Sequence, residues 1–276
     1  MIDSILLIGQ SNMAGRGFLT PEEKISHPRI KKLVNCKWWT MFEPVNADRI
    51  TAGANLSPTF ALEYLKYTDG EIGIIPAADG GTQIIQWQKG EPLYENAVFL
   101  AKMAMKTSNL KAILWHQCES DSHSGRTEVY KEKFVKMLDD LKADLGLPDI
   151  KIYCGGLGEF LTYYPNGGDM NVLWRDINKI FMELEKERDD VRFVPADGLG
   201  ANPDNLHFNT EALREFGRRY FAAYLEDHPE LTAAKDSESA EEYTEARLEE
   251  MKKKLTEGKI SQKEYDDFFS KYIQSL

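Results

Sequence analysis

What most constrains this chain is a repeated alternation. Five short, nearly unbroken apolar runs lie at residues 5–8, 72–77, 112–115, 152–157 and 191–194, separated by segments whose apolar residues recur at helical spacing. A run that is apolar at nearly every position, rather than at every second one, reads as a strand buried on both faces. A sheet with helices on both sides provides that burial, and strands that alternate with helices pair in parallel. Helices are expected over residues 57–67, 92–106, 129–145, 172–188 and 210–225, the first opened by Ser57 as cap and Pro58 in the first helical position. The expectation is an α/β, three-layer αβα sandwich around a parallel five-stranded sheet. A long loop carrying Trp38 and Trp39 follows the first strand.

Composition narrows the function classes. At 276 residues and 42% hydrophobic, the chain can build one large core with a small appendage. A net charge of −11 argues against nucleic acid, which needs clustered Lys and Arg to displace counterions. No apolar stretch approaches the roughly 20 residues of a membrane span, so no membrane partner is expected. The apolar start is cut by Asp3 and has no basic flank, so it reads as a strand and not a signal peptide. Cys36, Cys118 and Cys154 are an odd set without CxxC spacing, which makes a reduced, cytoplasmic setting the expectation.

In parallel sheets ligands bind beyond the carboxyl ends of the strands, and the chemically distinctive residues fall there. Ser11 follows the first run, Gly80 and Gly81 the second, Gln117 and Glu119 the third, and Asp204 and His207 the fifth. A serine hydroxyl is a weak nucleophile that needs a base for its proton and donors for the developing oxyanion. Gly9 lets the chain turn sharply and present Ser11. Asp204 stands three residues before His207, close enough to hold one imidazole nitrogen while the other faces Ser11.

Three segments together carry a family resemblance: Gly9-Gln10-Ser11-Asn12-Met13, Trp115-His116-Gln117-Cys118-Glu119-Ser120-Asp121, and Asp204-Asn205-Leu206-His207. Over roughly residues 1–226 the chain resembles the SGNH hydrolases, and more narrowly the sialate O-acetylesterase and acetylxylan-esterase group, carbohydrate esterase family 6. The resemblance implies a flavodoxin-like sheet and a serine esterase that removes acetyl groups from a sugar or oligosaccharide, without a cofactor. It makes Ser11 the nucleophile and His207 the base. The Ser11 N–H, Gly80 or Gly81, and the Gln117 side-chain amide would form the oxyanion hole. Two carboxylates compete to orient His207, Asp204 by adjacency and Glu119 by motif; the wider superfamily pattern favours Asp204. Gln10, Asn12, Arg16 and Trp87 are assigned to substrate binding, Arg16 with the alternative of pairing a structural acid.

Two details of the third-strand segment remain. Cys118 replaces an expected glycine; if the position needs a positive φ the loop is strained, and if it needs only a small side chain the cysteine is harmless packing, the reading adopted here. His116, Cys118, Glu119, Asp121 and His123 are metal-ligating types, but their spacing fits no standard site and no metal is expected.

After residue 227 the character changes. Residues 228–245 read as a linker, with 233–242 offering nothing to bury, and 246–276 as two short helices joined at Gly258, a small C-terminal helical hairpin resembling the SHOCT type. Leu248, Met251 and Leu255 share a face on the first, and Tyr265, Phe268, Phe269 and Tyr272 form a stripe on the second. Such short helices do not bury these faces alone, so the hairpin is expected on the body or on another copy in a homo-oligomer.

Overall fold

The structure is a computed structural model that describes residues 2–233 and 245–275. Strand β1 (Ile2–Gly9) runs into a one-turn helix, α1 (Ser11–Ala14), and a hairpin of β2 (Ile30–Val34) and β3 (Lys37–Thr40) follows. Strands and helices then alternate: α2 (Ser57–Tyr64), β4 (Ile72–Pro76), α3 (Pro92–Ala104), β5 (Ser108–His116) and α4 (Thr127–Leu145). The body closes with β6 (Ile152–Gly155), α5 (Met170–Glu187), β7 (Val191–Val194) and α6 (Thr210–Asp227).

Among the described residues one sheet holds seven strands in the order β3-β2-β4-β1-β5-β6-β7. The five expected strands are its parallel heart, in the flavodoxin-like order second, first, third, fourth, fifth. The expected count of five is corrected by the hairpin. β2 adds in parallel to β4, and β3 pairs antiparallel with β2 at the edge. The strands lie inside the segment read as a loop. Their turn is Asn35-Cys36 with both residues at positive φ (49° and 60°), as a tight hairpin turn demands. Without the usual glycine, the signal was hidden.

Alternate residues of the strands feed two cores. Leu6, Ile8, Ile75, Ile113 and Ile152 pack against α3, α4 and α5. Ile5, Leu7, Ile74, Leu114 and Tyr153 pack against α2 and α6. The α2–α6 contact is close because Gly217 has no side chain: a Cβ there would stand 2.1 Å from the Leu56 carbonyl oxygen. Ser57 is the first helical residue of α2 and not its cap; Asn55 Oδ1 accepts from its N–H at 3.0 Å.

α7 (Glu245–Thr256) and α8 (Gln262–Ser275) pack on each other through Leu248, Met251, Phe268 and Tyr272, and α7 approaches the turn Pro21–Glu23 of the body. Gly258 turns the chain between them at φ +68°. Phe269 stays partly exposed and stacks on Tyr265. Of the expected linker, residues 234–244 lie outside the described residues.

Candidate active site

The strand order reverses direction at β1, so the crevice opens between the carboxyl ends of β1, β4 and β5. Gly9 ends β1 at φ +134°, and a Cβ there would lie 2.1 Å from the His116 carbonyl oxygen. Only glycine permits that approach. The next N–H, of Gln10, then donates to the same oxygen at 2.8 Å, and Ser11 begins α1 at the crevice floor, 7% exposed.

His207 arrives from the loop between β7 and α6. With its hydrogen on Nδ1, the ring donates to Asp204 Oδ2 at 2.7 Å, and the Ser11 hydroxyl donates to Nε2 at 3.0 Å. Asp204 Oδ1 accepts from the N–H groups of Leu206 and His207 at 2.9 and 3.0 Å. Burial alone would push the Asp204 carboxyl up, but the His207 ring and these two N–H groups outweigh it and hold it below its usual value. The loop closes on itself as Asn202 N–H donates to the His207 carbonyl at 2.7 Å. Three residues separated by up to 196 positions thus form one continuous relay.

Glu119 is not part of it. It is buried behind the crevice, where it accepts from Asn12 Nδ2 and lies 3.5 Å from His116 Nε2. Of the two carboxylates left open by the sequence, Asp204 is the one that touches His207.

The remaining expected site residues are brought near, yet most face inward. Gln117 Nε2 donates to the Thr82 carbonyl at 2.8 Å and lies 2.5 Å from Asp121 Oδ2, while its Oε1 accepts from the Tyr130 hydroxyl at 3.0 Å. An amide so committed and fully buried shapes the loop after β4 and offers no donor to an oxyanion. Gln10 Oε1 accepts from Gln117 and from the N–H groups of Cys118 and Ser120, so it braces the β5 loop. Arg16 forms a two-toothed ion pair with Asp48 at 2.6 and 3.2 Å. Asp48 in turn accepts from the Gly80 N–H at 2.9 Å. Arg16 therefore takes the structural alternative. Trp87, also assigned to substrate binding, is 1% exposed, donates to Thr82 Oγ1 and meets Trp115 edge-on. The segment folds as a single 3₁₀ turn that buries Ile84 and Trp87 and leaves Ile85 exposed.

With the Gly80 N–H occupied, two of the expected oxyanion donors stay open. Among the described residues the backbone N–H groups of Ser11 and Gly81 donate to no protein acceptor. The bond from Asp79 N–H to the Gly9 carbonyl, at 3.0 Å, ties the Gly81 loop to the end of β1.

Sequence reasoning missed Asp48, Arg49 and Asn46, which hold this loop in place. Arg49 donates to Asp79 and to the Gly80 carbonyl, and Asn46 to the Ala78 carbonyl. They lie some 30 positions away in a segment without periodicity, so no local signal marks them. Cys118 also corrects the adopted reading. Its φ is +131°, a conformation that favours glycine, so the cysteine is strained; its thiol is buried against the Tyr130 hydroxyl at 3.0 Å, and burial pushes it well above the usual thiol value.

A sheet whose five central strands run parallel in this order, with serine, histidine and aspartate in contact at its switch point, defines an esterase of the SGNH-hydrolase class. Comparison with known proteins is specific about which one. The family model "Carbohydrate esterase, sialic acid-specific acetylesterase" matches residues 2–226, and the chain belongs to this family. It is 30% identical over 246 residues to a "Probable carbohydrate esterase" of Arabidopsis thaliana, an alignment covering 80% of this chain and 89% of the relative. An X-ray structure of an Arabidopsis thaliana protein superposes with a TM-score of 0.70 at 29% identity, covering 82% of this chain and 98% of the other. The crystal structure of NanS shares the fold, with a TM-score of 0.68 at 18% identity, covering 83% and 98%.

Proposed function

We propose that this carbohydrate esterase hydrolyses acetyl esters of mono- or oligosaccharides through an acetyl-Ser11 intermediate. The observation that carries the reading is the unbroken contact from Asp204 through His207 to the Ser11 hydroxyl. His207 Nε2 takes the hydroxyl proton as Ser11 Oγ bonds to the acetyl carbon. Asp204, held ionised, keeps the hydrogen on Nδ1 and stabilises the imidazolium that forms. The carbonyl oxygen becomes an oxyanion, and the open N–H groups of Ser11 and Gly81 are the donors available to it. As the C–O bond to the sugar breaks, His207 returns its proton to the leaving sugar oxygen. Water, deprotonated by His207, then attacks the acetyl-enzyme, releasing acetate and restoring the Ser11 hydroxyl. Every step uses groups already in place, and none calls for a cofactor.

The test is acetate release from a panel of acetylated sugars by the full chain, with Ser11→Ala as control. Loss of the nucleophile should lower turnover by up to about a millionfold. Turnover of an aryl acetate by Ser11→Ala at near wild-type rate would overturn the mechanism.

A further inference from the structure

Asn12 follows Ser11 in sequence, yet its side chain is committed to the backbone on either side of His207. Oδ1 accepts from the Phe208 N–H at 3.0 Å, and Nδ2 donates to the Leu206 carbonyl at 3.2 Å and to Glu119 Oε1. Only one orientation of the amide satisfies these partners, because an N–H demands the oxygen while a carbonyl and a carboxylate demand the NH₂. His207's own N–H and carbonyl are taken by Asp204 Oδ1 and by the Asn202 N–H. The backbone that carries the imidazole is therefore gripped by one side chain adjoining the serine.

Glu119 anchors that grip. It is 1% exposed, and among the described residues its Oε2 has no hydrogen-bond partner. His116 beside it is wedged edge-on between Phe208 and Phe216, with ring centroids 5.6 Å from each. Burial alone would raise the Glu119 carboxyl; His116 and Asn12 together hold it below its usual value, which keeps it ionised at neutral pH. A hydrogen bond to a charged acceptor is roughly twice as strong as a neutral one. With Asn12 1% exposed, neither residue has surface to offer a substrate.

We propose that Asn12 and Glu119 are positioning residues that set the register of His207 against Ser11, an inference that rests on the serine mechanism above. Ser11 and His207 come from opposite ends of the body, and an error of about 1 Å in their relative placement costs on the order of 10²-fold in rate. The buried Glu119 acts on the reaction only through Asn12.

The experiment measures kcat and KM of the full chain on an aryl acetate for Asn12→Asp, Glu119→Gln and the double variant. Asn12→Asp keeps the size of the side chain but sets a carboxylate against Glu119 and the Leu206 carbonyl. Its kcat should fall by about 10²-fold with KM little changed. Glu119→Gln retains a neutral acceptor and should lose about tenfold or less, still measurably below wild type. In the double variant one of the two opposed carboxylates is gone, so its kcat should exceed that of Asn12→Asp alone by about tenfold, a coupling that general loosening does not produce. Wild-type kcat in both single variants, a raised KM alone, or no recovery in the double variant would each overturn the proposal. If circular dichroism shows Asn12→Asp unfolded, Glu119→Gln decides by whether its kcat falls at constant KM. Ser11→Ala, assayed alongside, separates the two readings. If it is inactive while the other variants run at wild-type rate, only the positioning role fails; if it is active, the mechanism itself fails.

Discussion

At the scale of single residues, the site separates side chains that meet the reacting groups from those that hold them. Asp204 touches the imidazole at 2.7 Å, whereas Glu119 touches Asn12, which holds the backbone on either side of His207. Neutralising the first should be far more costly. Asp204→Asn lets the amide present an N–H toward Nδ1 and favours the wrong tautomer, so kcat should fall by about 10⁴-fold, well beyond the loss in Glu119→Gln. Steady-state kinetics on an aryl acetate check the order, and equal losses would return Glu119 to the relay. Gln10, Arg16, Gln117 and Trp87 show why polar or aromatic residues near a motif are ambiguous from sequence. Each lies close to the crevice, but each makes its hydrogen bonds to the surrounding loops.

At the scale of elements, the β2–β3 hairpin shows how local chemistry conceals structure. Lys37 to Thr40 alternates exposed and half-buried positions, and its turn places Cys36 at φ +60°. A residue with a Cβ is disfavoured there by roughly 1–2 kcal/mol, less the extra unfolded-state entropy of glycine, about 0.5–1 kcal/mol. Cys36→Gly, which makes an Asn-Gly turn, should therefore stabilise the fold by about 0.5–1 kcal/mol. Chemical denaturation reads the change as a raised midpoint at constant slope; a lowered midpoint would mean that the Cys36 side chain contributes more than its backbone strain costs.

At the scale of the whole molecule, the body and its tail are expected to contribute differently to stability and activity. His27 is buried beside the start of β2, and burial, with the nearby Arg29 and Lys31 cations, lowers its pKa from 6.5 to about 4. Between those values the unfolded chain binds the proton and the folded chain does not, so stability falls as pH drops from 6.5 toward 4. The slope for one proton reaches about 1.4 kcal/mol per pH unit. His27→Gln should flatten that part of the stability curve, measured by denaturant titrations at several pH values. The tail calls for a separate test. Its hairpin has its own small core, and the family match ends at residue 226. A chain truncated after Asp227 should keep its esterase activity while losing thermal stability or oligomeric mass, read by calorimetry and light scattering. Loss of activity in a folded truncation would place the tail at the crevice.

Some of this was legible in the sequence, because it depends on local pattern. Continuous apolar runs determined the five central strands. Their alternation with helices determined the parallel sheet, and turn glycines with Ser11, Asp204 and His207 marked its functional edge. The Asp204–His207 contact spans three residues, so spacing alone could suggest it. Other features depend on groups brought together from distant positions, and there only the tertiary structure decided. Such are the occupation of the Gly80 N–H by Asp48, the inward turn of Trp87, and the separation of Glu119 from His207 by Asn12. The physical reason is that a polar side chain is assigned by its partners. Residue type limits what it can donate or accept, but the partners are chosen by how the chain packs.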